Sequence, residues 1–426
     1  MTILQTHILQ HSIPLKKNIR QTETEHLVLY KAALLVFFFS LLIDTGSEIF
    51  NISGIPIPMF AGSLVILVGL FQWHYPRDIV IAVMVCLIFH WVVWQWVFDA
   101  GFIDGVRILY SLLFAIVIGG NDYPLSFARY QIKILFITIL LLLSTFYIGL
   151  WHEVPGGRIT FGDFGSNAIA FILAVGFFTG LFIVWDEKGM YQKTALVSLP
   201  LFLLPIWLSG SRKIMLLIAI SILVTGYFIG KGKRLIIAIL ILYILFCMYE
   251  LTLFDPILDK IHYQLIENPD RDTFENSVKF RMNLINKGLA VFSEKPFFGY
   301  GMGAPHSSSW LAEYIGITSN DGSIVMTHNG LLDYLLMGGL YLFSIFMILY
   351  ARVMWRLKSI LQHAESDIFK LSILMIALNI LFLGLVSFGD IFSKMGWWIF
   401  GLSLYLLRNI ETQHQNDESS SGRLIS

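Results

Sequence analysis

Three side chains in this sequence stand where they could act on an anionic substrate: Arg212, Arg281 and His328. Arg212 follows Ser209-Gly210-Ser211, precedes Lys213, and opens an apolar stretch. Backbone N–H groups at a helix start, beside a guanidinium, form a site suited to phosphate. The structural alternative is an interfacial arginine that snorkels from a helix end. Arg281 lies at the edge of an amphipathic pattern, where a salt bridge to Glu275 or Glu294 is the alternative. His328, in Met326-Thr327-His328-Asn329-Gly330, opens a later apolar stretch. An imidazole with an unperturbed pKa of about 6.5 suits proton transfer, although a lone histidine more often packs or caps. Asp270-Arg271-Asp272 has the form of a metal-holding acid pair, a tripeptide that also arises readily by chance.

The elements that must position these residues are membrane spans. The chain has 426 residues, 56% hydrophobic and 14% charged, with a mean hydropathy of +0.72. A soluble protein of this size needs far more charged surface. The reading is an all-α polytopic membrane protein. A bilayer core of about 30 Å takes about 20 mostly apolar residues per helix. That rule predicts twelve spans near 27–45, 57–73, 78–98, 103–120, 131–150, 167–186, 192–209, 212–230, 234–254, 329–351, 368–387 and 394–409. Residues 1–26 then form a cytoplasmic segment lacking an apolar core of signal-peptide type. Residues 255–328 form one long loop, and 410–426 a polar, disordered tail. His90 and Asn379 fall deep inside spans and read as interhelical hydrogen-bonding residues. A formal net charge of zero gives no field for nucleic acid. Cys86 and Cys247, inside apolar stretches, build neither a disulfide framework nor a thiolate metal site.

Lys/Arg bias sets the orientation. One set of span ends carries Lys16, Lys17, Arg129, Lys133, Lys188, Lys193, Arg352, Arg356 and Arg408; the opposite short loops hold little beyond Arg158, Arg212, Lys213 and Lys394. Both termini are therefore expected in the cytoplasm, with the long loop outside. Three outward segments stand out: Trp151 to Asn167 with its glycines and Arg158, the Ser209–Lys213 turn, and the long loop. Within the loop, Ser277 to Phe292 reads as an amphipathic helix with an apolar stripe of Val278, Met282, Ile285, Leu289 and Phe292, ended by Pro296. Phe297-Phe298-Gly299-Tyr300-Gly301-Met302-Gly303 then spaces glycines so that backbone can approach a ligand closely. Cations on the face where they are normally scarce point to an anionic ligand. A transporter or flippase is the rival, disfavoured because the span centres are nearly free of charge. A non-catalytic scaffold of an envelope assembly complex is another, and it would need none of Arg212, Arg281 and His328 individually.

These pieces together resemble the O-antigen ligase and polymerase family of bacterial envelopes. The resemblance rests on Asn167 after the Arg158-bearing loop, Ser209-Gly210-Ser211-Arg212-Lys213, Arg281 followed by Lys295 to Gly303, and Thr327-His328-Asn329-Gly330-Leu331-Leu332 running to Gly338-Gly339-Leu340, all in the family's order. It implies a transferase of the lipid-linked glycosyltransferase, GT-C-like architecture in the bacterial inner membrane. The implied donor is an oligosaccharide on undecaprenyl pyrophosphate, presented on the periplasmic face, with no metal or other cofactor. By motif, Arg212 and Arg281 would bind pyrophosphate and His328 would orient or deprotonate the acceptor hydroxyl. Arg158, Asn167, Ser211, Lys213, Gly299, Gly301, Gly303 and Asn329 would line the substrate site. Many ligases carry a second histidine near the His-Asn pair; Ile324, Val325, Met326 and Thr327 stand there instead, which favours a polymerase over a ligase. Membrane lipid, a chain-length regulator and a flippase are the partners this implies.

Overall fold

A computed structural model of the chain describes residues 26–40, 51–52, 55–70, 78–97, 102–121, 123–154, 158–161, 166–209, 211–229, 285–301, 330–361, 366–386 and 394–422. It is almost entirely helical. In lipid every backbone polar group must be satisfied within the segment, so long apolar runs become helices. They are α1 (His26–Ser40), α2 (Ile57–Leu70), α3 (Ile79–Val97), α4 (Phe102–Gly119), α5 (Ser126–Tyr147), α6 (Ser166–Asp186), α7 (Met190–Leu208) and α8 (Arg212–Ile229). After these come α9 (285–294), α10 (Gly330–Ile360), α11 (Ser366–Val386) and α12 (Lys394–Gly422). Two short antiparallel hairpins complete the described elements: β1 (Asn51–Ile52) with β2 (Ile55–Pro56), and β3 (His152–Val154) with β4 (Arg158–Thr160).

The predicted ninth span, 234–254, lies outside the described residues; each of the other eleven overlaps a described helix. Among the described residues, five helices are long and apolar enough to cross a membrane: α5, α6, α7, α10 and α11. Boundaries depart from the hydropathy reading where charge is neutralised. α5 starts at Ser126 rather than near 131, because Arg129 and Lys133 in its first turns are paired with Asp186 and Glu187. α10 runs to Ile360 instead of ending near 351, since Arg352 and Arg356 both bind Asp78. α12 continues to Gly422, where a disordered tail was expected. No proline or glycine interrupts 402–421, so nothing stops the helix before Gly422.

α4 and α12 lie in close contact through small residues. A Cβ on Gly401 would stand 2.7 Å from the Ala115 carbonyl oxygen, and one on Gly119 would stand 2.6 Å from Leu404 Cβ. This is the small-residue packing by which membrane helices associate without a hydrophobic driving force between them. Buried polar links stitch the same region. Trp398 Nε1 donates to Gln131 Oε1 at 2.9 Å, Tyr405 donates to the Tyr123 carbonyl at 2.5 Å, and Arg408 donates to the Gly120 carbonyl. Asn379, expected to bond between helices, donates to Ser403 Oγ at 2.8 Å. His90 is exposed on α3.

Among the described residues, the ion pairs collect at one end of the bundle. Asp186 at the end of α6 takes Arg129 at 2.6 Å and Lys370 at 3.1 Å. Asp78, just before α3, takes Arg352 at 3.1 Å and Arg356 at 2.7 Å. Because α5 and α6 are antiparallel and α10 and α11 follow each other, these pairs place the starts of α6, α8 and α10 at the opposite end. The β3–β4 hairpin belongs to that end too, Trp151 beside it donating to Thr145 Oγ1 at 2.8 Å.

Candidate functional site

Two helix starts meet at the end away from the ion pairs. Ser209 closes α7 with no exposed surface; its hydroxyl donates to the Ile206 carbonyl at 2.6 Å and accepts the Ser211 N–H at 3.4 Å. Ser211 stands just before α8, and its carbonyl accepts the Met215 N–H at 3.2 Å, the first bond of that helix. Its side chain, instead of capping its own helix, donates to Asn167 Oδ1 at 2.8 Å, in the first turn of α6. One hydrogen bond thus ties the N-terminus of α8 to that of α6. Each start presents N–H groups without intrahelical acceptors and the positive end of a helix dipole. Arg212 and Lys213 are the first two residues of α8, and Arg158 is the first of β4.

A second construction lies at the start of α10. That helix is broken at Gly339, whose φ of 61° and ψ of −164° leave the helical region. A break strands carbonyls and N–H groups, which lipid cannot satisfy. The turn after α9 satisfies them. Tyr300 and Gly301 donate N–H to the Leu336 and Met337 carbonyls at 2.8 and 2.9 Å. In return, Leu340 and Tyr341 donate to the Pro296 and Phe297 carbonyls at 2.8 and 3.0 Å. The two backbones are so close that a Cβ on Gly299 would lie 2.6 Å from the Leu336 and Met337 oxygens, and one on Gly339 would lie 2.4 Å from Phe297. Gly299 and Gly301 have φ of 68° and 101°, conformations that favour glycine. The close approach that the glycine spacing promised is, in this structure, an approach of the chain to itself.

Around this clamp a small apolar cluster forms from Val291, Leu332 and Leu336, with Ile285, Phe292 and Tyr300 against it. Val291 rather than Leu289 is the buried apolar side chain of α9; Leu289 is 48% exposed. The predicted stripe is therefore rotated, because the helix packs on the clamped first turns of α10 rather than on a membrane surface. Tyr300 donates to the Val291 carbonyl at 3.1 Å and lies 3.0 Å from Glu294 Oε2. Beside the clamp, Phe297, Phe298, Tyr341 and Ile345 face Met84 and Leu87 of α3 across an apolar groove of about 380 Å³.

Arg281, Gly303, His328 and Asn329 lie outside the described residues, as do Asp270 and Asp272. Of the sequence-derived candidates, the structure brings Asn167 and Ser211 into contact and places Gly299 and Gly301 in the clamp. The break at Gly339 and the burial of Asp333 in the first turn of α10 were not singled out from sequence. The Gly338-Gly339 pair inside a span was the available signal for the first.

Residues 194–347 match the O-antigen ligase family. The O-antigen ligase match covers just over a third of the chain, from the start of α7 to the middle of α10, and bears out the resemblance read from the motifs. It takes in Arg212, Arg281, the clamp and His328; Arg158 and Asn167 precede it. No curated protein matches the chain.

Proposed function

We propose that this protein transfers a glycan from undecaprenyl pyrophosphate to a sugar hydroxyl, joining lipid-linked repeat units into a surface polysaccharide such as O-antigen. The observation that carries this reading is the O-antigen ligase match running through Arg212, Arg281 and His328. The junction of α6 and α8 at Ser211–Asn167, beside Arg212, supports it as a place for pyrophosphate. The reading includes twelve crossing helices in a GT-C-like arrangement, cytoplasmic termini and a periplasmic site, following the Lys/Arg bias.

In the reaction an acceptor hydroxyl oxygen bonds to the anomeric carbon of the donor sugar while the bond from that carbon to the pyrophosphate oxygen breaks. Undecaprenyl pyrophosphate leaves with the electron pair, and the hydroxyl proton passes to His328. Negative charge grows on the leaving group, so Arg212 and Arg281 stabilise the transition state more than the ground state. Loss of one such donor lowers the rate about a hundred- to thousandfold. A histidine base contributes roughly 10²–10⁴-fold. Arg158, Lys213, Asn167, Ser211 and Asn329 line the donor's path in this reading, and the clamp glycines Gly299 and Gly301, with Gly303 beyond them, support its floor.

The printed family description favours a second reading, ligation of the glycan to lipid A core. The residues before His328 favour the polymerase. A deletion strain complemented with wild type, Arg212→Ala, Arg281→Ala or His328→Ala separates the two. A single repeat unit on lipid A core in the deletion marks a polymerase. Bare core with long chains held on undecaprenyl pyrophosphate marks a ligase. Normal glycan from all three inserted variants would remove the site.

A further inference from the structure

The apolar groove beside the clamp runs along one face of α10. Past the break, Tyr341, Ile345 and Ile348 recur at helical spacing, with Leu340 and Ser344 alongside, against Met84 and Leu87 of α3. Phe297 and Phe298 form its end wall, held there because the Pro296 and Phe297 carbonyls accept the Leu340 and Tyr341 N–H groups. The Asp78 ion pair sets the depth. Arg352, one turn past Ile348, pairs with Asp78. The groove therefore begins about 6 Å from that pair and runs about 12 Å to the break, at about 1.5 Å per residue. At that depth in a bilayer the surroundings are hydrocarbon.

Apolar surface facing lipid is normal in a membrane protein and by itself identifies nothing. This surface is concave, with about 380 Å³ of space, within the size range of ligand sites. Its end wall comes from a turn, and that turn carries a cation: Lys295 is exposed, its Nζ 4.8 Å from the Tyr300 ring centroid. Glu294, one residue earlier, lies 3.0 Å from the Tyr300 hydroxyl. An apolar trough ending at a cation matches a lipid chain with an anionic head. The rings of Phe297, Phe298 and Tyr341 and the thioether of Met84 are polarisable surfaces, suited to a chain with a double bond in each isoprene unit.

The groove lies on a different wall of the bundle from the Ser211–Asn167 junction. α3 packs on α10 and α4, whereas α8 packs on α11, α6 and α7. A donor with its pyrophosphate at that junction has its tail on the α6–α8 side. A second prenyl chain is required when the acceptor is itself lipid-linked. We propose that the α3–α10 groove holds the prenyl chain of the acceptor repeat unit, with Lys295 beside the acceptor's own pyrophosphate. This rests on the reading of the protein as a glycan transferase and narrows it to a polymerase, since lipid A core carries no prenyl chain.

Ser344→Trp and Ile348→Trp fill the groove from exposed positions. Purified full-length protein in nanodiscs receives two substrates, each confined to one role. The donor glycan is methylated at its distal acceptor hydroxyl, and the acceptor repeat unit is joined to its undecaprenyl pyrophosphate through carbon. In both variants the acceptor concentration for half-maximal rate rises about tenfold or more, equivalent to losing about two buried methylene groups. The donor concentration for half-maximal rate moves by less than about threefold. An acceptor with a farnesyl chain shows the rise already in the wild type, and the variants add little to it. A shift in the donor value instead, or in neither, overturns the proposal, and so do tail and variant effects that add. Where a variant fails to fold, p-benzoylphenylalanine at Ile348 decides. A cross-link to labelled acceptor supports the site; one to phospholipid alone, or none, refutes it. Wild-type transfer to lipid A core only sinks this inference and leaves the transferase reading standing. No transfer to any acceptor brings down both.

Discussion

Ser211 and Asn167 are 44 positions apart, and their 2.8 Å hydrogen bond links the starts of α8 and α6 directly. A serine in front of a helix ordinarily caps it. Here the hydroxyl is diverted to another helix instead of capping α8. This predicts a coupling energy of about 1 kcal/mol in a double-mutant cycle of Ser211→Ala and Asn167→Ala, read from thermal or denaturant unfolding of the purified protein. Additive single effects would show that the bond does not hold the junction. Each single variant also reduces glycan transfer while inserting normally, because α8 start and Arg212 shift together.

At the scale of elements, the clamp fixes the 295–301 turn against the break in α10. Four backbone hydrogen bonds close it, and none depends on a side chain that sequence patterning could flag. An alanine at Gly339 must adopt a φ of 61° and place its Cβ 2.4 Å from the Phe297 backbone. The left-handed conformation alone costs about 1–2 kcal/mol, and the backbone contact cannot be relieved by a rotamer change. Gly339→Ala is therefore expected to open the clamp. Hydrogen exchange reads this directly: the amides of Tyr300, Gly301, Leu340 and Tyr341 are protected in the wild type and lose protection together in the variant. Protection retained at all four would mean that the break and the turn are not one unit.

Over the whole molecule, the ion pairs among the described residues gather at one end of the bundle. With Cys86 and Cys247 first replaced by serine, a cysteine at exposed Lys188 and one at exposed Leu150 report opposite faces of the membrane. A membrane-impermeant thiol reagent labels the Leu150→Cys protein in spheroplasts and the Lys188→Cys protein only after lysis. The reverse pattern would invert the assigned orientation. The Asp78 site ties α3 to α10 at the ion-paired end. Burial on its own would raise its carboxyl pKa, but the Val80 N–H, Arg356 and Arg352 outweigh it and hold the group below its ordinary 3.8. A depressed folded-state value means the stabilisation is complete above about pH 4 and is lost as pH falls through the folded pKa. Unfolding temperature in detergent should therefore drop in acid, and Asp78→Asn should flatten part of that drop. Near neutral pH the same variant is expected to lose roughly 1–3 kcal/mol, kept modest because Arg352 is 40% exposed. An unchanged acid limb in Asp78→Asn would assign the fall to other groups.

The sequence by itself determined the helical membrane class and the order of the motifs, because hydropathy acts locally and needs no neighbour. It also placed Asn379 between helices correctly, since a lone amide deep in an apolar span has few other ways to be satisfied. Helix ends escaped it wherever a charge is neutralised from elsewhere, as Arg129 is by Asp186 and Arg356 by Asp78. The glycine-spaced turn was visible as a place of close approach, but what it approaches is a break 38 residues further along, at Gly339. Only the tertiary structure decided that contact, the joining of α6 to α8, and the burial of Asp333. Each depends on which backbone or side chain arrives from a distant part of the chain, and apolar periodicity along a single helix carries no record of it.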